Sequence, residues 1–188
     1  MAILAPITFP MKPNGRCVVR SPRLDEAGSV LAAARDAFST SEYTLTKLDE
    51  FSLTLAQEEE FIHDMNTHPR QLMLIALDAA DPLELPIAIT VLKQNTTRRK
   101  LRHSVELGMS VITRYRSRAV GTALLTACVQ WAEAHAELKL ITLDVYAANE
   151  PGLKLYRNLG FIECGRRPDG LIHDDGTMWE QVQMYRRV

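Results

Sequence analysis

ELGMSVITRYRSRAVGTALL, residues 106–125, passes from one periodicity to another across a basic turn. On its N-terminal side Val105, Leu107, Met109 and Val111 alternate with Ser104, Glu106, Gly108 and Ser110, the two-residue period of a half-buried strand with one apolar and one polar face. On its C-terminal side Val120, Leu124, Leu125, Cys128, Trp131 and His135 recur at helical spacing, which predicts a helix over 119–136. Between them stand Arg114, Arg116 and Arg118. A strand that runs through a tight basic turn into a helix N-terminus is an anion site for two reasons. The first-turn N–H groups point outward unpaired, and the helix dipole puts partial positive charge there. The small residues Ala119, Gly121 and Thr122 let an anion approach the backbone, and the arginines add charge and forked donors. Neither GxxxxGK[ST] nor GxGxxG occurs, so the nucleotide loops they mark are unsupported, and a pyrophosphate on some other carrier is left.

Outward from this centre the pattern is of short alternating elements. CVVRS (17–21) reads as a strand, and Ala27, Val30, Leu31, Ala34 and Phe38 as a helical face. Residues 39–51 have no clean period and read as a loop or a broken helix. Thr54 and Gln57 fit a capping box for a helix that His68-Pro69 stops, with Glu58, Glu59 and Glu60 as the acidic first turn that the helix dipole favours. QLMLIAL (71–77) and PIAITVLKQ (86–94) are strands, and NTTRRK (95–100) a turn. LKLITLDVY (138–146) is another strand. Asn149-Glu150-Pro151-Gly152 opens a helix through Tyr156 that Gly160 closes. FIECG (161–165) and TMWEQVQMYRR (177–187) end the chain as strands around a turn-rich loop, PDGLIHDDG. This order predicts an α/β protein of the α+β kind, with a mixed sheet and helices on both faces rather than a doubly wound fold.

At 188 residues one well-buried core is expected. Residues 1–15, broken by Pro6, Pro10 and Pro13 and without a basic leader pattern, are expected to be an arm. Residues 16–188 are expected to be a single domain. The net charge of −1 argues against a nucleic-acid partner. No run approaches the about 18 apolar residues that span a bilayer, so no membrane partner is expected. Three cysteines without CxxC or Cys/His spacing suit a reducing cytoplasm and a thiol in the core at Cys128. His173-Asp174-Asp175 reads as a turn, and no metal is expected.

The opening stretch, followed by NEPGLKLYRNLGF (149–161), resembles the two cofactor motifs of the GNAT family of N-acetyltransferases. Arg116, Ala119 and Gly121 occupy the first motif's fixed places, with alanine where the family has its first glycine, a replacement expected to be free of strain in a helical turn. Asn149, Leu155, Tyr156, Leu159, Gly160 and Phe161 match the second. The resemblance covers about residues 85–187 and implies a GNAT-like fold with a central, mostly antiparallel sheet.

It further implies acetyl-CoA as co-substrate. Arg116, Arg118, Ala119, Val120, Gly121 and Thr122 would hold the pyrophosphate. The backbone of Met109, Ser110 and Val111 would pair with the pantetheine arm like an added strand, with Asn149 beside it. Transfer to a primary amine of a small molecule or peptide then needs an acid for the leaving thiolate, assigned to Tyr156. It also needs a base for the amine, assigned to Glu106, directly or through water; His103 and Asp144 are weaker candidates. A CoA-binding sensor or interaction module without turnover is the alternative. The acceptor is expected between the 39–53 segment, the Glu106 face and the last hairpin. Trp179 and Tyr185, on one face of the last strand, fit a substrate pocket, a contact across which a homodimer forms, or plain sheet packing.

Overall fold

A computed structural model describes residues 3–94 and 98–188. In chain order the elements are β1 (Ile7–Met11), β2 (Gly15–Arg20), α1 (Ala27–Ser39), α2 (Leu55–Thr67), β3 (Leu72–Asp78), β4 (Pro86–Lys93), β5 (Ser104–Val111), α3 (Val120–Glu133), β6 (Leu140–Tyr146), α4 (Glu150–Asn158), β7 (Ile162–Ile172) and β8 (Met178–Arg187). The strands form one sheet in the order β1-β2-β3-β4-β5-β6-β8-β7. Neighbours run antiparallel except β5 and β6, which are parallel. Residues 95–97 of the predicted turn lie outside the described residues.

Helices cover both faces. Ala27 and Val30 of α1 and Ile62 and Met65 of α2 pack on Met73, Ile75 and Leu77 of β3. The alternate residues Leu72, Leu74 and Ala76 join Leu124, Cys128 and Ala132 of α3 and Leu153 of α4 on the other face. Both faces of β3 are therefore core, which is why its sequence is an unbroken apolar run. Two predicted starts are realised in detail. Thr54 Oγ1 accepts from Gln57 N–H at 3.3 Å while Gln57 Oε1 accepts from Thr54 N–H at 2.9 Å. The Asn149 side chain accepts from Gly152 N–H at 3.0 Å and caps α4.

Several expectations are corrected. The supposed arm contains β1, paired in register with β2 from Ile7↔Val19 to Met11↔Gly15. Its proline is tolerated because β1 is an edge strand and Pro10 can face away from the ladder. The C-terminal loop shrinks to His173–Thr177, because β7 continues through Pro168 and Gly170 to Ile172. Register shifts at Glu163/Gly165 and Arg167/Leu171 absorb those residues, again at an edge. Hence the last strand, β8, is enclosed by β6 and β7. Glu58 turns inward instead of joining Glu59 and Glu60 in solvent.

The turn ahead of α3 is also not as expected. Ala119 is its N-cap, with φ +68°, and Ser117 two residues earlier has φ +61°. Both are left-handed, a region that costs a residue with a Cβ about 1–2 kcal/mol. Alanine here is therefore strained, not neutral. Replacing it by glycine, Ala119→Gly, is predicted to stabilise the protein by about 1 kcal/mol, read as a rise of about 2–4 °C in thermal midpoint. An unchanged or lowered midpoint would contradict the strain.

Candidate functional site

Strands β5 and β6 pair only from Ser104↔Leu140 to Glu106↔Thr142. Beyond that point β5 stays paired to β4 as far as Val111, and β6 to β8 as far as Tyr146, but not to each other. The sheet therefore opens between Leu107–Val111 and Leu143–Tyr146. The Ile112 N–H donates to Ile87 O at 3.1 Å and the Thr90 hydroxyl donates to Gly108 O at 2.9 Å, which places the even-numbered backbone groups of β5 on its β4 side. By strand alternation those of Met109 and Val111 turn into the opening. Such groups call for partners, because unpaired backbone donors and acceptors are costly when water is excluded.

The N-terminus of α3 follows the same end of β5. The Ala123 N–H donates to Ala119 O at 3.0 Å, the first bond of the helical ladder, so the N–H groups of Val120, Gly121 and Thr122 lie ahead of it. Tight packing fixes where this end sits. A Cβ on Gly121 would stand 3.3 Å from Leu155 Cδ2 and 3.5 Å from Met109 Cε, so this glycine lets α3 close against α4 and β5. The sequence reading gave it only the task of admitting an anion.

The arginines are engaged within the protein. Arg116 donates from Nε to Val111 O at 3.1 Å and from its two terminal nitrogens to Thr40 O and Thr40 Oγ1, each at 3.0 Å. It thereby ties the end of β5 to the end of α1 and leaves Val111 N–H as the free half of that residue. Arg118 donates to Lys12 O at 2.9 Å and lies over the Tyr115 ring at 4.8 Å, so the region once read as an arm helps to hold the turn. Their charge stays beside the opening, but the donors aimed into it are backbone N–H groups.

Tyr156 on α4 is partly buried against the main core, its ring 5.8 Å from Phe161. Among the described residues its hydroxyl has no hydrogen-bonding partner, and burial pushes its pKa up to about 12. Asn149, expected beside the carrier, spends its side-chain oxygen on the α4 cap. Glu106 is exposed at the apex where β5 and β6 part, in register with Lys93 on one side and Thr142 on the other. It lies on the α1/α2 face of the sheet, because Lys93 shares the face of Ile89 and Val91.

Four rings gather at the far end of β6. Tyr146 lies 5.9 Å from Tyr43, 5.8 Å from Trp179 and 6.0 Å from His173, and His173 stacks on Trp179 at 4.4 Å. Nε2 of His173 is buried and has no hydrogen-bond partner among the described residues. Tyr146 Oη donates to Thr44 O at 3.4 Å, and Lys47 is paired with Asp174, so the 39–53 segment is fastened to the last hairpin. Trp179 was legible as a pocket candidate. Tyr43 and Tyr146 were not, since residues more than a hundred positions apart meet here without any local pattern. Asp175 accepts from the N–H and hydroxyl of Thr177, at 2.9 and 2.7 Å, which accounts for its place in the turn. Among the described residues no group of three or more His, Cys, Asp or Glu could hold a metal ion. Cys128 is fully buried, its thiol pushed up to about 12 by loss of solvent, and it is a core side chain.

The fold has counterparts among solved structures. An acetyltransferase of the GNAT family from Streptococcus pneumoniae superposes with a TM-score of 0.85 at 22% identity, over 92% of this chain and 99% of that one. The YncA protein of Salmonella typhimurium, a putative acetyltransferase solved with its cofactor acetyl-CoA, gives 0.78 at 11% identity, over 91% and 93%. A phosphinothricin acetyltransferase from Sinorhizobium meliloti, in complex with acetyl-CoA, gives 0.77 at 19% identity, over 92% and 88%. Among curated proteins none matches by sequence. The profile of the acetyltransferase (GNAT) family matches residues 34–161, from within α1 to the residue before β7 and across the opened strands and the turn into α3. With more than half of its length matched in this way, the chain belongs to the acetyltransferase (GNAT) family.

Proposed function

We propose that this protein is an N-acetyltransferase that moves the acetyl group of acetyl-CoA to a primary amine of a small molecule or peptide by direct attack. The observation that carries this reading is the opening between β5 and β6, lined by the inward backbone groups of Met109 and Val111 and ending at the N-terminus of α3. These residues fit the carrier. The Val120, Gly121 and Thr122 amides hold the pyrophosphate with the help of the helix dipole and the nearby charge of Arg116 and Arg118. Met109 and Val111, with Ser110 between them, pair with the amides of the pantetheine arm in place of the missing strand. When bound, acetyl-CoA supplies an acetyl group activated as a thioester.

The remaining work falls to side chains. Glu106 takes a proton from the acceptor's ammonium, directly or through a water, from the α1/α2 side of the sheet, and the neutral amine so formed attacks the thioester carbonyl. Tyr156 gives its proton to the departing sulfur; a phenol held near 12 is fully protonated at neutral pH and has no competing partner among the described residues. The rings of Tyr43, Tyr146, His173 and Trp179 form the wall past which the acceptor reaches the opening. Aromatic faces attract an ammonium by about 0.5–2 kcal/mol, which favours a cationic acceptor there.

Thiol release with acetyl-CoA across amines, amino acids, polyamines, aminoglycosides and peptides tests this directly. With the amine so identified, Tyr156→Phe is predicted to lower kcat by about a hundredfold and to leave the KM for acetyl-CoA nearly unchanged. Because the phenol's pKa is raised, it stays protonated everywhere below about 12, so the loss is the same from pH 6 to 9. A defect that vanishes toward either end of that range would remove Tyr156 from the role. Glu106→Gln is predicted to lose about a hundredfold at pH 7 and to recover as rising pH neutralises the amine in solution. A pH-independent defect would assign Glu106 a structural task. Acetyl-CoA binding with no thiol release from any amine would make the protein a CoA-binding module instead.

A further inference from the structure

On the opposite side of β4 from the opening, α1, α2 and the sheet enclose a groove of about 460 Å³. Its walls are apolar, with Val30 from α1, Phe61 from α2, Phe51 and Leu53 from the preceding segment, and Met73 and Ile89 from the sheet. Its volume is that of a pocket for a small organic molecule. Of the carboxylates that line this space, Glu58 is the buried one. Glu58 is only 4% exposed, lines the groove, and has no hydrogen-bond or ion-pair partner among the described residues.

A buried carboxylate without a partner is expensive, and it is the kind of group a native structure retains for a reason. Glu58 is the acid in the first turn of α2, where the helix dipole favours its ionised form, but the dipole gives the carboxylate no hydrogen-bonding partner. The rest of the groove repeats the sign. Glu60 and Asp64 line it as well, against the single ammonium of Lys93, whose Nζ lies 5.3 Å from the centre of the Phe61 ring. Burial is the only cause that moves the Glu58 pKa, and it moves it upward, the state of a carboxyl group that still lacks its counter-charge.

We infer that the groove between α1, α2 and β4 is a binding site for a small apolar amine, whose ammonium pairs with Glu58 while its hydrocarbon body fills the space between Phe51, Phe61 and Met73. The pair would be a charge-assisted hydrogen bond in an apolar setting, where such bonds are strongest. A neutral ligand of the same shape gains only the apolar contact. A carboxylate meets repulsion from Glu58, Glu60 and Asp64. The site borders the opening, because Ile89, Val91 and Lys93 of β4 stand in register with Ser110, Gly108 and Glu106 of β5. It is built without any residue assigned to acetyl transfer, and it stands whether or not transfer occurs.

Calorimetric titration of the full chain without acetyl-CoA, using phenethylamine, 2-phenylethanol and phenylacetate at pH 7.5, reads the site independently of turnover. The expected order is amine about tenfold tighter than alcohol, with the carboxylate weakest. Glu58→Gln is expected to bring the amine to the level of the alcohol. Ala34→Leu, which fills the groove from α1, is expected to weaken both. Equal binding of amine and alcohol to the unaltered protein, or no binding of either, would overturn the inference without recourse to a variant. An amine preference that survives in a cooperatively folding Glu58→Gln protein would overturn it as well.

Discussion

The rest of the structure depends on a pairing that is broken off. β5 and β6 are the one parallel pair in the sheet, and parallel ladders are slightly weaker per residue than antiparallel ones. Each strand is secured along its length on its other side, β5 by β4 and β6 by β8. The two can therefore part after Glu106 and Thr142 without loosening the sheet. What the parting leaves is a row of backbone groups with the spacing of a strand and no strand to meet them. An extended, amide-bearing arm is the chemical complement of that row. An anion at the far end of such an arm meets the first turn of α3.

The surrounding residues hold this opening in shape. Arg116 bridges the end of β5 and the end of α1, and Arg118 draws the segment after β1 against the same turn. Gly121 admits Leu155 and Met109, so α3, α4 and β5 meet without a gap. The turn itself is held in a left-handed conformation at Ser117 and Ala119, a local cost that the rest of the framework supports. Charge, packing and strain thus converge on the positions of three amides.

The strands β3 to β6 and all four helices were legible in the sequence, because each carries its own period and α2 and α4 also carry their caps at Thr54 and Asn149. The candidate site could be read from the two motifs, since the turn at 116–122 and the helix at 149–160 are each contiguous in the chain. What was not legible depends on distant partners. β1 and the second half of β7 contain Pro10, Pro168 and Gly170, which locally signal loops and become strands only because a sheet edge tolerates them. The αL conformation of Ala119 is imposed by the fold against the residue's own preference. The inward turn of Glu58 and the meeting of Tyr43, Tyr146 and Trp179 follow from packing between segments, and no spacing announces them. The arginines were assigned by charge alone, whereas their geometry is decided by Thr40 and Lys12, far away in sequence.

The account rests on the claim that the carrier's arm lies between β5 and β6 with its pyrophosphate on α3. The direct measurement is a titration of the ¹⁵N-labelled protein with CoA, followed by backbone amide shifts. The amides of Met109, Val111, Val120, Gly121 and Thr122 are predicted to move together and to saturate at one ratio of CoA to protein, with the α2 and β1 amides little changed. Saturable binding that leaves those five amides in place would contradict the account.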